Sequence, residues 1–241
     1  MGASSVAIVT GSSSGIGMRV ARTLHERGWC VVLNGFNSLA EGDGLAADLA
    51  GSLYVDADLS DPVGAQNLIH AATDQFGRLD VLINNAGIAV PIPHGDLDAV
   101  SDELWNRIIA VNLTGVWNTC KAAMPHLRQT HGQIINNASL AGLKPMGSSI
   151  PYAVSKSGVV HLTELLAKAC GPEVRVNAVA PGYIDTPLTH DWDELRTFVE
   201  TNAPAKRLGK PEDVAQAIMG LMSMDYVTGA VIPVAGGLQL L

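Results

Sequence analysis

The stretch Val6-Ala-Ile-Val-Thr10-Gly11-Ser-Ser-Ser-Gly15-Ile-Gly17 decides the fold, because it joins a strand pattern to a glycine turn. Its apolar first half predicts a buried strand, and Met18–Arg27 places apolar residues at helical spacing. A strand, a glycine turn and a helix in this order can bind a pyrophosphate, since glycines let the backbone approach it and the helix N-terminus offers free N–H groups. The spacing Gly-x-x-x-Gly-x-Gly differs from the usual dinucleotide fingerprint, so a plain glycine-rich turn stays open as an alternative.

Apolar strand-like runs recur along the rest of the chain, and helical patterns lie between them. The further predicted strands are Cys30–Asn34, Leu53–Asp56, Leu79–Ile83, Gln133–Asn137, Val174–Val179 and Gly229–Pro233. The further predicted helices are Pro62–Phe76 (capped by Asp61), Ser101–Ile109, Leu113–His131, the helix from Pro151 to near Gly171, and one beginning at Lys210–Asp213. This alternation predicts an α/β fold, a single-domain Rossmann-like doubly wound parallel sheet of about seven strands with helices on both faces.

Ligands bind such a sheet at the carboxyl ends of its strands. Five residues fall at or just after predicted strand ends, and we expect them to meet at one edge: Gly11, Asp58, Gly87, Ser139 and Thr186. Residues 1–241 are interpreted as one dinucleotide-binding and catalytic domain, with a small helical segment at about 187–205 covering the site.

The composition narrows the function classes. Hydrophobic residues make up 47% of the 241 residues and charged ones 16%, which is typical of a well-packed globular protein. The net charge of −8 without a Lys/Arg cluster argues against a nucleic acid or an anionic membrane as partner. The cysteines Cys30, Cys120 and Cys170 are far apart and have no metal-ligand spacing. Together with the absence of a recognisable leader, they predict a cytoplasmic protein with reduced thiols and no metal.

Tyr152 and Lys156 stand four residues apart in the helix predicted after Pro151. This spacing puts both side chains on one helical face, one turn apart. A nearby ammonium favours the phenolate and moves the tyrosine pKa from near 10 toward the working range of an acid–base catalyst. Any helix can carry such a pair, so the pair alone leaves function open.

The turn Asn34-Gly35-Phe36-Asn37 follows the second predicted strand, where a carboxylate would bind a ribose 2′-hydroxyl and an arginine a 2′-phosphate. Neither is present, and no Lys or Arg lies among Ser12, Ser13 and Ser14. The absence of cations favours NAD, while NADP is not excluded.

The motifs together resemble the short-chain dehydrogenase/reductase family over nearly the whole chain. They are Thr10-Gly-x-x-x-Gly-x-Gly17, Asn84-Asn-Ala-Gly87, Asn112, Ser139, Tyr152-x-x-x-Lys156 and Pro181-Gly182, with 13 residues from Ser139 to Tyr152. One departure is Val234-Ala-Gly-Gly237, where family members often have Asp before the last glycines. It concerns a C-terminal turn or an oligomer contact. The turn at Asn34–Phe36 resembles that of NAD-dependent 3-hydroxybutyrate dehydrogenases.

The resemblance implies residue roles. Tyr152 would be the general acid or base, Ser139 would hydrogen-bond the substrate oxygen, Lys156 would bind the nicotinamide ribose and lower the Tyr152 pKa, and Asn112 would hold a water of a proton relay. Gly11, Gly15 and Gly17 would flank the pyrophosphate, Asp58 would meet the adenine, Asn85 the adenosine ribose, and Ile184 and Thr186 the carboxamide. The further expected cofactor contacts are Ser13, Ser14, Ile16, Asn34, Phe36, Leu59, Ala86, Gly87, Pro181 and Gly182.

The expected substrate wall is mostly apolar, which favours an apolar or weakly polar ketone or secondary alcohol. It would be drawn from Ile88, Val90, Ile92, Leu143, Met146, Ile150, Leu188 and Trp192. A 3-oxoacyl-carrier-protein reductase is the enzymatic alternative, although Gln129–Gln133 and Cys170–Glu173 lack the basic residues expected for an acidic carrier. A non-catalytic dinucleotide sensor or scaffold is the alternative from another class. The resemblance also implies a homo-oligomer, a tetramer or dimer.

Overall fold

The computed structural model describes residues 4–241, in which seven parallel strands form one sheet. The strands are β1 Val6–Val9, β2 Cys30–Gly35, β3 Leu53–Asp56, β4 Val81–Asn84, β5 Gln133–Asn137, β6 Arg175–Pro181 and β7 Val231–Val234. Their order is β3-β2-β1-β4-β5-β6-β7, so the chain reverses direction across the sheet after β3. The predicted fold class is therefore confirmed, with a crevice expected at the carboxyl ends of β1 and β4.

Helices cover both faces of the sheet. They are α1 Gly15–Glu26, α2 Leu39–Asp48, α3 Pro62–Phe76, α4 Asp102–Ile109, α5 Gly115–Thr130, α6 Ile150–Cys170, α7 Asp193–Asn202 and α8 Pro211–Met222. Alternate residues of β1 enter different cores: Val6 and Ile8 pack toward α3, α5 and α6, whereas Ala7 and Val9 pack toward α1 and α8. Burial on both faces explains why this strand is apolar throughout. No helix within residues 4–241 is both long enough and apolar enough to span a lipid bilayer.

The helix signals of the sequence locate α3 correctly. The Asp61 side chain accepts a hydrogen bond of 2.9 Å from the Val63 backbone N–H, Pro62 occupies the first turn, and Gly77 ends the helix with a φ of 72°. In contrast, α1 begins three residues before the predicted Met18, at Gly15. The helix α2 lies between β2 and β3 where the sequence patterns indicated no element.

The helices predicted separately over Ser101–Ile109 and Leu113–His131 are continuous in the structure. After α4 the chain continues through a π-helical turn, Ala110–Thr114, directly into α5. The backbone angles at the two junctions are right-handed helical, with φ −59° at Ala110 and φ −59° at Gly115. A π turn inserts an extra residue without ending the helix, and such turns are frequent at functional sites.

Candidate active site

A cavity of about 570 Å³ runs along the carboxyl edge of the sheet, from the ends of β2 and β3 to the ends of β5 and β6. Most of the predicted cofactor residues line it: Gly11, Ser13, Ser14, Gly15, Ile16, Asn34, Phe36, Asp58, Leu59, Asn85, Ala86, Gly87, Tyr152, Lys156, Pro181, Gly182, Ile184 and Thr186. Ser139 lines it as well, whereas Gly17 and Asn112 do not. Among residues 4–241, no group of three or more His, Cys, Asp or Glu side chains could hold a metal ion.

The glycine turn after β1 is packed closely against the end of β4. Gly11 has a φ of 60°, and a Cβ there would come within 2.7 Å of the Ala86 Cα. A Cβ on Gly17 would collide with the Gly11 carbonyl oxygen, so Gly17 supports the turn from behind. The turn leaves its backbone open toward the cavity at the N-terminus of α1, which fits a phosphate-bearing cofactor.

Asn85 braces this glycine turn rather than standing free. Its Nδ2 donates to the carbonyl oxygens of Thr10 and Gly11, each at 3.0 Å. The Thr10 hydroxyl in turn accepts from the backbone N–H groups of Asn85 and Ala86, at 2.9 and 3.0 Å. Both amide hydrogens of Asn85, the residue expected near the adenosine ribose, are therefore engaged with the glycine turn.

Lys156 and Tyr152 lie together on α6, as the spacing predicts. The Lys156 Nζ is 5.8 Å from the centre of the Tyr152 ring and donates a 2.8 Å hydrogen bond to the Asn137 carbonyl oxygen. Burial disfavours the ammonium and lowers the Lys156 pKa to about 8. The pair is therefore positioned for acid–base chemistry at the inner end of the cavity.

The expected lowering of the Tyr152 pKa is not found in the protein alone. Burial raises the Tyr152 pKa above its ordinary value of 10, and the neighbouring Ser139 hydroxyl offsets only part of this effect. The Lys156 ammonium does not offset this burial, since Lys156 is itself desolvated and directed to the Asn137 carbonyl. Ser139 stands at the end of β5, where its Oγ accepts a 3.1 Å hydrogen bond from the Ala141 backbone N–H.

Asn112 is fully buried and its side chain is committed to neighbouring groups. The Oδ1 accepts from the Ile88 N–H at 2.8 Å, while the Nδ2 donates to the Ile88 carbonyl at 2.9 Å and to the Ser155 hydroxyl at 3.2 Å. It thus ties the π turn to the segment after β4 and to α6. Both amide hydrogens are engaged within the protein, so the side chain holds these elements together. That Asn112 holds a water of a proton relay stays a prediction.

The opposite end of the cavity lies beside β2 and β3. The Asn34 side chain is turned away from ligands there, because its Nδ2 donates to the carbonyl oxygens of Gly35, Val55 and Ala57. Asp58 is also partly engaged: its Oδ1 accepts from the backbone and hydroxyl of Ser60, and its Oδ2 pairs with Arg107 at 3.1 Å. Burial opposes ionisation, but these hydrogen bonds hold the Asp58 pKa below its usual value.

Two cavity residues escaped the sequence reasoning. Arg107 reaches the β2–β3 end from α4, and no local motif marks it. Asn137, at the end of β5, accepts from Lys156 through its carbonyl oxygen and donates from Nδ2 to the Asn85 Oδ1 at 2.9 Å. Asn137 therefore joins the brace of the glycine turn to Lys156. Its position two residues before Ser139 at a strand end was the signal that could have found it.

The substrate end is covered by the chain after β6. Leu188 and Thr189 line the cavity, and the Tyr183 hydroxyl donates a 2.6 Å hydrogen bond to the Thr189 carbonyl. Of the predicted apolar wall, Ile88 and Leu188 line the cavity. Met146 and Trp192 instead pack against the buried cluster that includes Leu140 and Val199 of α7. Within the described residues, the positive side chains on the cavity wall are Arg107 and Lys156.

Comparisons with known proteins agree with this geometry. A family model described as enoyl-(acyl carrier protein) reductase matches residues 11–239. A Streptomyces violaceoruber protein, provisionally named as ketoacyl reductase 2 of the granaticin polyketide synthase, is 50% identical over 98% of this chain and 96% of its own. The cis-4-hydroxycyclohexanecarboxylate dehydrogenase of Sinomonas cyclohexanicum is 41% identical, over 96% of this chain and 95% of its own.

Solved structures also match over the full length. The 3-ketoacyl-(acyl-carrier-protein) reductase of Brucella melitensis, solved with NADH, superposes with a TM-score of 0.91 at 31% identity, covering 98% of each chain. A fold match at this identity and coverage, with the motifs at the carboxyl edge, extends to the reaction class. The protein is an NAD(P)-dependent oxidoreductase of hydroxyl and keto groups and belongs to the short-chain dehydrogenase/reductase family.

Proposed function

We propose that Tyr152 is the general acid and base of this oxidoreductase, that Ser139 holds the substrate oxygen, and that Lys156 holds the nicotinamide ribose. The observation that carries the proposal is that these three side chains line the same end of one cavity. When bound, the nicotinamide supplies or accepts the hydride. Ser139 orients the carbonyl oxygen toward the Tyr152 hydroxyl, which gives its proton to that oxygen during reduction and takes it back during oxidation.

The raised Tyr152 pKa favours reduction at neutral pH. Because burial keeps the phenol protonated, the acid form needed to protonate a ketone is fully populated at pH 7. Alcohol oxidation needs the phenolate instead. The Lys156 ammonium favours that phenolate. Because the Lys156 pKa is about 8, the ammonium loses its proton, and this stabilisation fades, as the pH rises through 8.

Substituting Tyr152→Phe tests the assignment. We expect turnover of a test ketone with NADH to fall by about 10³-fold, in the range that general acid catalysis contributes, while NADH binding stays within about twofold. Tyr226→Phe is the matched control, because the Tyr226 side chain is fully exposed and far from the cavity wall. A Tyr152→Phe enzyme with wild-type turnover would refute the general-acid role. Equal loss of NADH binding would indicate damage to the fold.

We also propose NAD as the preferred cofactor. The region around Gly35 is packed with the hydroxyl groups of Ser13, Ser38 and Tyr54. Burial raises the Tyr54 pKa, and the carboxylates Asp56, Asp43 and Glu41 raise it further, so the potential here is negative. A 2′-phosphate would meet this field without a free cation, which supports NAD over NADP.

The proposed substrate is an apolar or weakly polar ketone or secondary alcohol. At the substrate end, Ile88, Pro187 and Leu188 are apolar, and the cations of the cavity wall are already paired or buried. A carboxylate on the substrate would therefore find no partner within the described wall. We further propose that the segment 187–205 covers the substrate, because Val199 of α7 and Ala203 just after it belong to one buried cluster with Leu140 and Tyr183.

A 3-oxoacyl-carrier-protein reductase is the second candidate, and the names of similar proteins support it. Two features of the surface favour free substrates. The segment Gln129–Gln133 after α5 contains no Lys or Arg, and Arg128 is paired with Glu173 at 3.1 Å. Comparing a 3-oxoacyl substrate on its carrier protein with the same acyl group on a small thiol separates the two. A carrier preference above about tenfold would establish the second candidate, since that corresponds to about 1.4 kcal/mol of added binding.

We propose that the chain forms a homo-oligomer through α5 and α6. Three apolar side chains on these two helices are about half exposed: Trp117 at 45%, Val154 at 45% and Leu165 at 52%. Exposed large apolar groups on neighbouring elements are typical of interfaces. Light scattering after gel filtration tests this, with a tetramer or dimer expected; a monomer at micromolar concentration would exclude it. The cytoplasmic location stays a prediction.

A further inference from the structure

Asn137, the last residue of β5, forms hydrogen bonds toward both the glycine turn and the acid–base pair. It lines the cavity and is buried. Its backbone carbonyl oxygen accepts the 2.8 Å hydrogen bond from the Lys156 Nζ, and its side-chain Nδ2 donates to the Asn85 Oδ1 at 2.9 Å. Because Asn85 in turn holds the glycine turn, a continuous series of hydrogen bonds connects that turn to Lys156.

The neighbouring hydrogen bonds fix which way round the Asn137 amide lies. The Asn85 Nδ2 donates to the carbonyl oxygens of Thr10 and Gly11, so the Asn85 Oδ1 is left as an acceptor. Asn137 can pair with this oxygen only by presenting its Nδ2. In that orientation the Asn137 Oδ1 is buried without a donor among residues 4–241. Since an unpaired buried acceptor is unfavourable, we attribute the orientation to the contact with Asn85.

The contact between Asn137 and Asn85 lies where the sheet itself stops joining these strands. The ladder between β4 and β5 ends at the pair Asn84–Asn136, whereas the ladder between β5 and β6 continues to Asn137. The side-chain bond from Asn137 to Asn85 therefore joins β4 and β5 one residue beyond their ladder. It supports the peptide whose carbonyl oxygen accepts from Lys156, on the side where the backbone has no strand partner.

We propose that Asn137 is a positioning residue of the reaction: its bond to Asn85 holds in place the carbonyl oxygen that directs the Lys156 ammonium. This inference rests on the proposed roles of Tyr152 and Lys156. Reacting groups keep their geometry through hydrogen bonds made by residues behind them. A displacement of about 1 Å can lower a rate by about 10²-fold. Asn137 touches neither reacting atom in this account, and it acts through Lys156.

The first test is Asn137→Leu, which removes the side-chain bond and keeps the backbone carbonyl. At saturating NADH and ketone, kcat for reduction is expected to fall about tenfold. The urea midpoint should stay close to that of wild type, because the substitution removes one unpaired acceptor, the Asn137 Oδ1, and leaves another, the Asn85 Oδ1. Asn137→Asp keeps the size and replaces the donor by an acceptor. It should lower kcat as far, and it tests the proposal if the leucine variant does not fold.

Asn177→Leu is the matched control. Asn177 is a fully buried asparagine of β6 that does not line the cavity. Its amide donates to the Val227 carbonyl oxygen at 2.8 Å and accepts from the Ala230 N–H at 3.0 Å. The same substitution there should lower the urea midpoint and leave kcat within about twofold of wild type. A kcat loss equal to that of Asn137→Leu would mean that any buried amide of the sheet has this effect, which overturns the proposal.

A double-mutant cycle with Asn85→Ala tests the connection itself, since this variant breaks the same link from the other side. The double variant should have a kcat within about twofold of the slower single variant. Losses that multiply would show that Asn137 and Asn85 act separately, and would overturn the proposal. A lower urea midpoint with unchanged kcat in Asn137→Leu would assign Asn137 to the fold alone, which also overturns it.

Tyr152→Phe separates this inference from the proposed function. If Tyr152→Phe keeps wild-type turnover, the proposed general acid is wrong and the positioning role has no basis. If Tyr152→Phe is inactive while Asn137→Leu and Asn137→Asp turn over as fast as wild type, only the positioning role is wrong.

Discussion

Replacing Lys156 by methionine is expected to make the protein more stable at neutral pH while removing its activity. The Lys156 side chain is buried at the cavity, with only 4% of its surface exposed, and burial lowers its pKa from 10.5 to about 8. Because one pKa unit corresponds to about 1.4 kcal/mol, holding this ammonium in the folded state at pH 7 costs about 3 kcal/mol. The hydrogen bond from Lys156 to the Asn137 carbonyl offsets about 1 kcal/mol of this cost.

The pH dependence gives the sharper measurement. A base whose folded pKa is lowered carries its full penalty below the folded pKa, and the penalty fades as pH rises toward the unfolded value. Wild type is therefore expected to be about 1–2 kcal/mol less stable than Lys156→Met at pH 7, and to regain about 2 kcal/mol relative to it by pH 9.5. Methionine matches the length of the lysine stem and carries no charge, so packing changes little.

Urea unfolding of the cofactor-free proteins at both pH values provides the assay, at one protein concentration because oligomers unfold in a concentration-dependent way. Lys168→Met is the control: it removes an exposed lysine from the same helix, α6, and should show no pH-dependent difference from wild type. A Lys156→Met protein that is less stable than wild type at pH 7, with the same difference at pH 9.5, would refute the reasoning. Such a result would mean that contacts of the Lys156 ammonium offset the free-energy cost of its burial.

Two further predictions concern the turn and the acid. Gly17→Ala should weaken NADH binding at least about tenfold, because the added Cβ would push against the Gly11 carbonyl and the Asn85 amide. Gly44 lies in α2 with open space around it, so the control Gly44→Ala should instead stabilise the fold by about 0.5–1 kcal/mol. Unchanged NADH affinity in Gly17→Ala would show that the turn does not carry the pyrophosphate. Initial rates against pH should show alcohol oxidation rising about tenfold from pH 7 to 8, because the phenolate fraction grows about tenfold per pH unit below the raised Tyr152 pKa, while ketone reduction stays nearly flat over the same interval. Oxidation that falls over this interval would contradict a phenol in the base role.

The elements that the sequence predicted best carry their signals locally. The helix α3 has its cap, its first-turn proline and its final glycine within the chain itself, and β5 coincides with the predicted Gln133–Asn137. The helix α2 was missed because Leu39–Asp48 contains two glycines, which disfavour a helix. Gly42 is required there by a distant contact, since a Cβ would collide with the Tyr54 ring of β3.

The same distinction holds in the site. Motif spacing was sufficient to place Tyr152, Lys156 and the glycine turn on one cavity. It could not reveal that Arg107 of α4 pairs with Asp58 after β3, because the two residues are 49 positions apart in the sequence and no local pattern links them. It also could not show that the Asn112 amide is consumed by Ile88 and Ser155, since hydrogen-bond partners far apart in sequence leave no local pattern.

The central claim is that the cavity at the carboxyl edge of the sheet holds a nicotinamide dinucleotide, with NAD preferred. A paired fluorescence titration of the wild-type protein with NADH and NADPH tests it most directly. We expect saturable binding of NADH that is at least about tenfold tighter than that of NADPH, because the carboxylates around Tyr54 oppose a 2′-phosphate. Tighter NADPH binding would contradict the cofactor assignment and favour the acyl-carrier reductase, and binding of neither would contradict the claim itself.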